Sequence, residues 1–179
     1  MTTFTFPSIT PSSNSFELVT NTRTYQSPLT NSVQTASRKG SLWKASLQFN
    51  NLTGDDRKVM QAFMVKLNGQ QHRFTLFDHS HTPRGAGGGT LRVNGASQSG
   101  TTLVCDGATA SVNNYLRAGD YISFNNELHM VVADASSDAS TNLTLSIAPP
   151  IRKTPADNTI VDYSVPVVGV FMLAGPASW

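Results

Sequence analysis

Ser41-Leu-Trp-Lys-Ala-Ser-Leu-Gln-Phe49 is the stretch whose reading decides the fold. Trp43, Ala45, Leu47 and Phe49 fall on one side, and Lys44, Ser46, Gln48 and Asn50 on the other. Extended backbone sends successive side chains to opposite faces, so this alternation predicts a half-buried strand. Asn50-Asn-Leu-Thr-Gly-Asp-Asp56 supplies a turn and a helix start. Thr53 or Asp55 can cap there, and the acids suit the positive helix end. Val59, Met60, Phe63 and Leu67 recur at helical spacing, and Asn68-Gly69 stands where a left-handed terminator is expected. Met60, Phe63 and Met64 at that spacing read as a face packed on a sheet, not as a cofactor pocket. A second strand from His72 to Phe77 puts Phe74 and Leu76 on one side. Trp43, Leu47, Phe49, Phe63, Leu67 and Phe74 are the expected core of this strand–helix–strand unit.

The pattern stops at Asp78-His-Ser-His-Thr-Pro-Arg-Gly-Ala-Gly-Gly-Gly89. Pro83 to Gly89 reads as a flexible joint. Its glycines suggest a phosphate loop, but the Lys-Ser/Thr pair is missing, and Thr90-Leu-Arg-Val-Asn94 reads as a strand where a helix is required. Short strands then follow at Thr90–Val93, Thr102–Cys105, Tyr121–Phe124, Glu127–Ala133 and Asn142–Ile147. Turn signals at Asn94-Gly95, Asp106-Gly107, Asn125-Asn126 and Ser136-Ser-Asp138 separate them. Beyond Pro155, Ile160–Tyr163 and Val165–Leu173 are expected to complete the sheet abandoned at Asp78. The chain therefore reads as mainly β, a β-sandwich of residues 41–82 plus 153–179 with one flanking α-helix. A small β-barrel is inserted at 83–152, and residues 1–40 form an N-terminal arm with edge strands.

Composition narrows the function. Charged residues are 13% of 179, about half the ~25% usual in soluble domains, with Ser, Thr, Asn and Gly in their place. That balance is common where neighbours bury the surface or a particle displays it. Thirteen Lys and Arg are spread along the chain for a net charge of +2, so no run neutralises a series of phosphates. Cys105 stands alone, which leaves no internal disulfide and no Cys-based zinc site; it reads as a small buried apolar residue. Met1-Thr-Thr-Phe-Thr-Phe-Pro7 lacks the basic and apolar regions of a signal peptide. No apolar run approaches the ~18–20 residues that span a bilayer. Synthesis in the cytoplasm with no membrane anchor is the expectation, and the sequons at Asn51 and Asn142 read as chance matches.

Candidate chemistry is sparse. On extended chain His79 and His81 share a side, and such a pair holds a metal if a third ligand comes from elsewhere. His72 and His129 lack obvious support for that role. The preferred reading is a polar loop without metal or cofactor, with Asp78 accepting hydrogen bonds from the Gly-rich backbone. Most acids sit at turns or at the helix start, and no Ser lies in a Gly-x-Ser-x-Gly elbow, so enzymatic activity is not expected. The alternative from another class is carbohydrate binding through Tyr115, Tyr121, Phe124 and Trp179.

Four further quotations carry a resemblance. Together with Ser41–Phe49 they are Phe63-Met-Val-Lys-Leu-Asn-Gly69, Arg73-Phe-Thr-Leu-Phe-Asp78, Arg117-Ala-Gly-Asp-Tyr-Ile-Ser-Phe124 and Leu145-Ser-Ile-Ala-Pro-Pro-Ile-Arg152. Across residues 41–173 the chain resembles the distal tail and minor tail-tip proteins of long-tailed bacteriophages. The resemblance implies a tail-tube-like sandwich whose copies form a ring, hexameric in preference to trimeric, with the barrel outside. It implies an adaptor between the tail tube protein and the tail hub or tip proteins, at the tail end of the virion. DNA would pass through the channel without specific binding, and the six core residues would form the assembly core. The runner-up is a carbohydrate- or receptor-binding tail module; the short length leaves no room for a large receptor-binding domain.

Overall fold

The computed structural model describes residues 1–38, 40–164 and 168–175. Among them run β1 (Thr3–Thr5), β2 (Ser13–Val19), β3 (Thr22–Gln26), β4 (Val33–Ser37), β5 (Leu42–Gln48), α1 (Gly54–Leu67) and β6 (Arg73–Phe77). There follow β7 (Gly89–Val93), β8 (Gly100–Ala108), β9 (Tyr121–Phe124), β10 (Glu127–Val131), β11 (Leu143–Ile151) and β12 (Val168–Phe171). The fold is mainly β, with α1 as the helix the spacing predicts.

Thr53 proves to be the cap. Its hydroxyl oxygen accepts from the Asp56 amide at 3.2 Å while the hydroxyl donates to the Asp56 carboxylate at 2.7 Å. Asn68 ends the helix in the left-handed region at φ 48°, where its amide donates back to the Val65 carbonyl. Met60, Phe63 and Leu67 are buried against a three-stranded sheet of order β1-β6-β12. β1 runs parallel to β6 with Phe4 opposite Phe74, and β12 runs antiparallel with Phe171 opposite Phe74. Val168–Phe171 thus continues the sheet that stops before Asp78; the expected residues 165–167 lie outside the described ones.

The N-terminal segment is more than an arm. Phe6 packs edge-on against Phe63 at 5.3 Å, and Ile9 is buried in the same cluster. β2 pairs with all of β5, from Ser13 opposite Gln48 to Val19 opposite Leu42. Phe63, Leu67 and Phe74 are buried as expected, but Trp43, Leu47 and Phe49 are only half-buried. The reason is that β5 has β2 as its strand partner and faces an open groove on its other side.

The second unit is a five-stranded antiparallel sheet of order β7-β8-β11-β10-β9. Its two edges meet through Asn158–Asp162. The Val161 amide donates to Leu91 O at 2.9 Å, and Asp162 and Ser123 exchange amide–carbonyl bonds at 2.8 Å. Arg92 bridges Ile160 and Ser123 bridges Asp162, which closes the sheet into a small barrel. This corrects the expectation that Ile160–Tyr163 rejoins the first sheet. Leu91, Val93, Leu103, Ile122 and Leu145 fill the interior with Cys105, whose thiol burial pushes up to about 12, helped by the neighbouring Asp106. That is the buried apolar cysteine of the sequence reading.

The segment expected to be a flexible joint is pinned at successive peptides. The buried Asp120 carboxylate accepts from the amides of Arg84 (2.8 Å), Gly85 (3.0 Å) and Arg117 (2.8 Å). Ala86 and Gly87 donate to the carbonyls of Asn114 and Tyr115. A Cβ on Gly85 would fall 2.3 Å from the Tyr115 carbonyl oxygen, so backbone approach requires glycine there.

Candidate assembly surface

The pairing of β2 with β5 is followed in the chain by a second strand pair. Thr22 opposes Ser37 and Gln26 opposes Val33, so β3 and β4 pair as a second two-stranded ladder, and the two ladders make the two halves of a ribbon. Between the Val19–Leu42 pair and the Thr22–Ser37 pair stand two residues on one side and four on the other. Two extra residues on the return strand therefore shift the register. The Arg38 amide, donating to Asn21 O at 2.9 Å, carries the ladder across the shift.

The two halves of the ribbon differ in environment. The lower half packs Phe16, Ala45 and Leu47 on the helix–sheet core. Trp43 reaches the barrel, where its Nε1 donates to Leu128 O at 2.7 Å and its ring meets Tyr121 edge-on at 5.5 Å. In the upper half every residue of β3 and β4 is exposed. Tyr25 is 54%, Leu29 93% and Val33 57% exposed, so apolar side chains sit on this half uncovered by any described residue.

Beside the lower half lies a groove of about 1120 Å³. Its walls are β5, the root of the ribbon at Val19–Asn21 and Gly40, Met60 and Met64 of α1, Leu76, and Phe171–Ala174. Leu42, Trp43, Lys44 and Ala45 all line it although they alternate in direction; the groove therefore runs along the strand's edge, where backbone groups lie. Among the described residues, Lys44 and Arg57 are the charged ones on its walls, and no Asp or Glu lines it. Lined this way, it can bind apolar side chains and one added strand.

The histidine pair sits elsewhere. The His79 ring packs on Phe77 at 4.1 Å, and His81 meets Tyr121 edge-on at 4.8 Å. The two Nε2 atoms are buried with no hydrogen-bond partner among the described residues. Burial holds His79 below the ordinary histidine range against the opposing pull of Asp78. No group of three or more His, Cys, Asp or Glu able to hold a metal occurs among the described residues. Asp78 does not accept from the Gly-rich backbone. Its Oδ1 takes Asn14 Nδ2 at 2.6 Å, the Ser80 amide at 2.9 Å and the Ser80 hydroxyl at 2.7 Å. Asp120 has the role expected of Asp78, and only its place beside Gly119 in a turn signals it.

Three of the four aromatics considered for sugar binding are covered. Tyr115 and Phe124 fill the barrel, and Tyr121 fills the seam with Phe16 and Trp43. Tyr121 and Phe124 point to opposite faces of β9, and each face is packed. Trp179 lies outside the described residues. Sequence reasoning missed the buried His129, whose Nδ1 is 2.8 Å from Pro149 O and whose ring stacks on Phe124 at 4.6 Å.

No protein-family model matches the chain, and no curated protein matches it.

Proposed function

We propose that this chain is a structural virion protein of a phage tail, a ring-forming adaptor between the tail tube protein and the hub or tip proteins. The observation that carries the reading is the pairing of an open apolar groove with a bare projecting ribbon on one molecule. Natural proteins shield long free strand edges or pair them, and a heterologous contact between identical copies closes into rings. The motifs quoted above, from Ser41–Phe49 to Leu145–Arg152, add the phage-tail identity by resemblance. Low charge suits a surface that neighbours cover, and the lack of a basic run suits a channel that DNA crosses without being held.

Native mass spectrometry together with light scattering tests the reading. A closed assembly is expected, at six times the 19.2 kDa chain mass in the favoured symmetry. A particle that stays at 19.2 kDa at every concentration would refute it. Immunogold labelling of intact phage separates the adaptor, at the tube–tip junction, from a receptor-binding module at the periphery.

A further inference from the structure

The open groove and the bare ribbon are complementary in four respects. The first is stability: a two-stranded hairpin alone is marginal in water and needs a third strand or a packed face, yet β3 and β4 have neither among the described residues. The second is length. Five residues per projecting strand span about 17 Å and the seven of β5 about 23 Å at ~3.3 Å per residue, so the projection fits along the edge.

The third is charge. From Thr24 to Ser37 the ribbon carries no charged residue, so that stretch meets Lys44 and Arg57 without repulsion; Arg23, exposed at the root of β3, is the one charge of the two strands. The fourth is size and chemistry. The groove exceeds the ~300–1,000 Å³ of small-molecule pockets, and its lining is mainly apolar, from Leu42 and Trp43 to Met60, Met64 and Leu76. Tyr25, Leu29 and Val33 offer exposed apolar side chains that such a lining can bury.

Resting on the ring reading, we propose that the β3–β4 half of the ribbon from a second copy of this chain lies along the free edge of β5 and fills the groove beside α1. Added strand pairing supplies the affinity, and the apolar side chains fix the position. A chain's own tip is fully exposed and does not enter its own groove, so the contact joins different copies head to tail. Each copy then gives one ribbon and accepts one, which is the heterologous geometry that closes a ring.

The test mixes ¹⁵N-labelled Leu29→Cys with unlabelled Met64→Cys and oxidises the mixture; Val33→Cys with Lys44→Cys is the second pair. Cys105 is fully buried and stays in place. Disulfide-linked peptides joining a labelled to an unlabelled chain are expected for at least one pair, with the assembly mass retained. An assembly of full mass with neither link overturns the ribbon placement and leaves the ring reading standing. A monomeric original protein overturns both. In a single chain carrying Leu29→Cys and Met64→Cys, a link within that chain overturns the exchange between copies. As an independent arm, replacing Thr24–Thr35 by a short Gly-Asn-Gly turn is expected to weaken association at least tenfold with the unfolding midpoint of the rest retained; unchanged association overturns the placement.

Discussion

Asp120 shows how much one side chain can organise. Its buried carboxylate holds three backbone amides from two segments thirty residues apart, so the start of the barrel and its central turn share one anchor. Asp120→Asn keeps the shape and removes the charge; urea unfolding is expected to show a loss of about 2–4 kcal/mol, since hydrogen bonds to ionised groups are worth ~1.5–3 kcal/mol each and are not additive. Gly85→Ala should cost at least ~2 kcal/mol in the same assay, because its Cβ collides with the rigid Tyr115 carbonyl.

His129 gives a pH signature. Burial lowers its pKa, opposed by the Pro149 carbonyl and the Glu127 carboxylate and reinforced by Arg152. The folded value therefore lies below the unfolded value of ~6.5, and the unfolded chain binds the proton more readily. Its contribution is full above pH ~6.5 and is lost as pH falls through the folded value. His79, lowered in the same direction by burial, adds to that slope. His129→Phe should flatten the stability–pH curve below neutrality relative to the original protein; an unchanged slope contradicts the assignment.

At the scale of elements, local signals were readable and partner choice was not. Trp43–Phe49 alternates, Thr53 caps and Asn68 terminates because each depends on neighbours a few residues away. Thr53→Ala should therefore cost about 1 kcal/mol in thermal unfolding, the ordinary value of a lost helix cap. Ile160–Asp162 is different. Its alternation, with Ile160 exposed and Val161 buried, fits either sheet equally well. Only pairing with Arg92 and Ser123, far away in the chain, sends it to the barrel. The glycines of the joint misled for a related reason: composition cannot distinguish glycine needed for freedom from glycine needed for close approach. The half-buried state of Trp43, Leu47 and Phe49 was also hidden, because strand alternation reveals which side is apolar and not whether anything covers it.

At the scale of the molecule, two units share a packed seam, where Trp43, Phe16 and Phe171 of the first surround Tyr121 and Leu128 of the barrel. The chain completes its own barrel, since both sheet edges find a partner in Asn158–Asp162. It does not complete its ribbon or its groove. This asymmetry, one unit closed on itself and the other open, is the physical basis for assigning assembly to the first unit. Neither open part stands out in the sequence, since Thr22–Ser37 is polar and the groove arises from elements distant in the chain. Native mass measured across a concentration series tests this account most directly. A closed assembly at an integral multiple of 19.2 kDa, hexameric in preference, is the predicted result; a single 19.2 kDa species up to the solubility limit contradicts it.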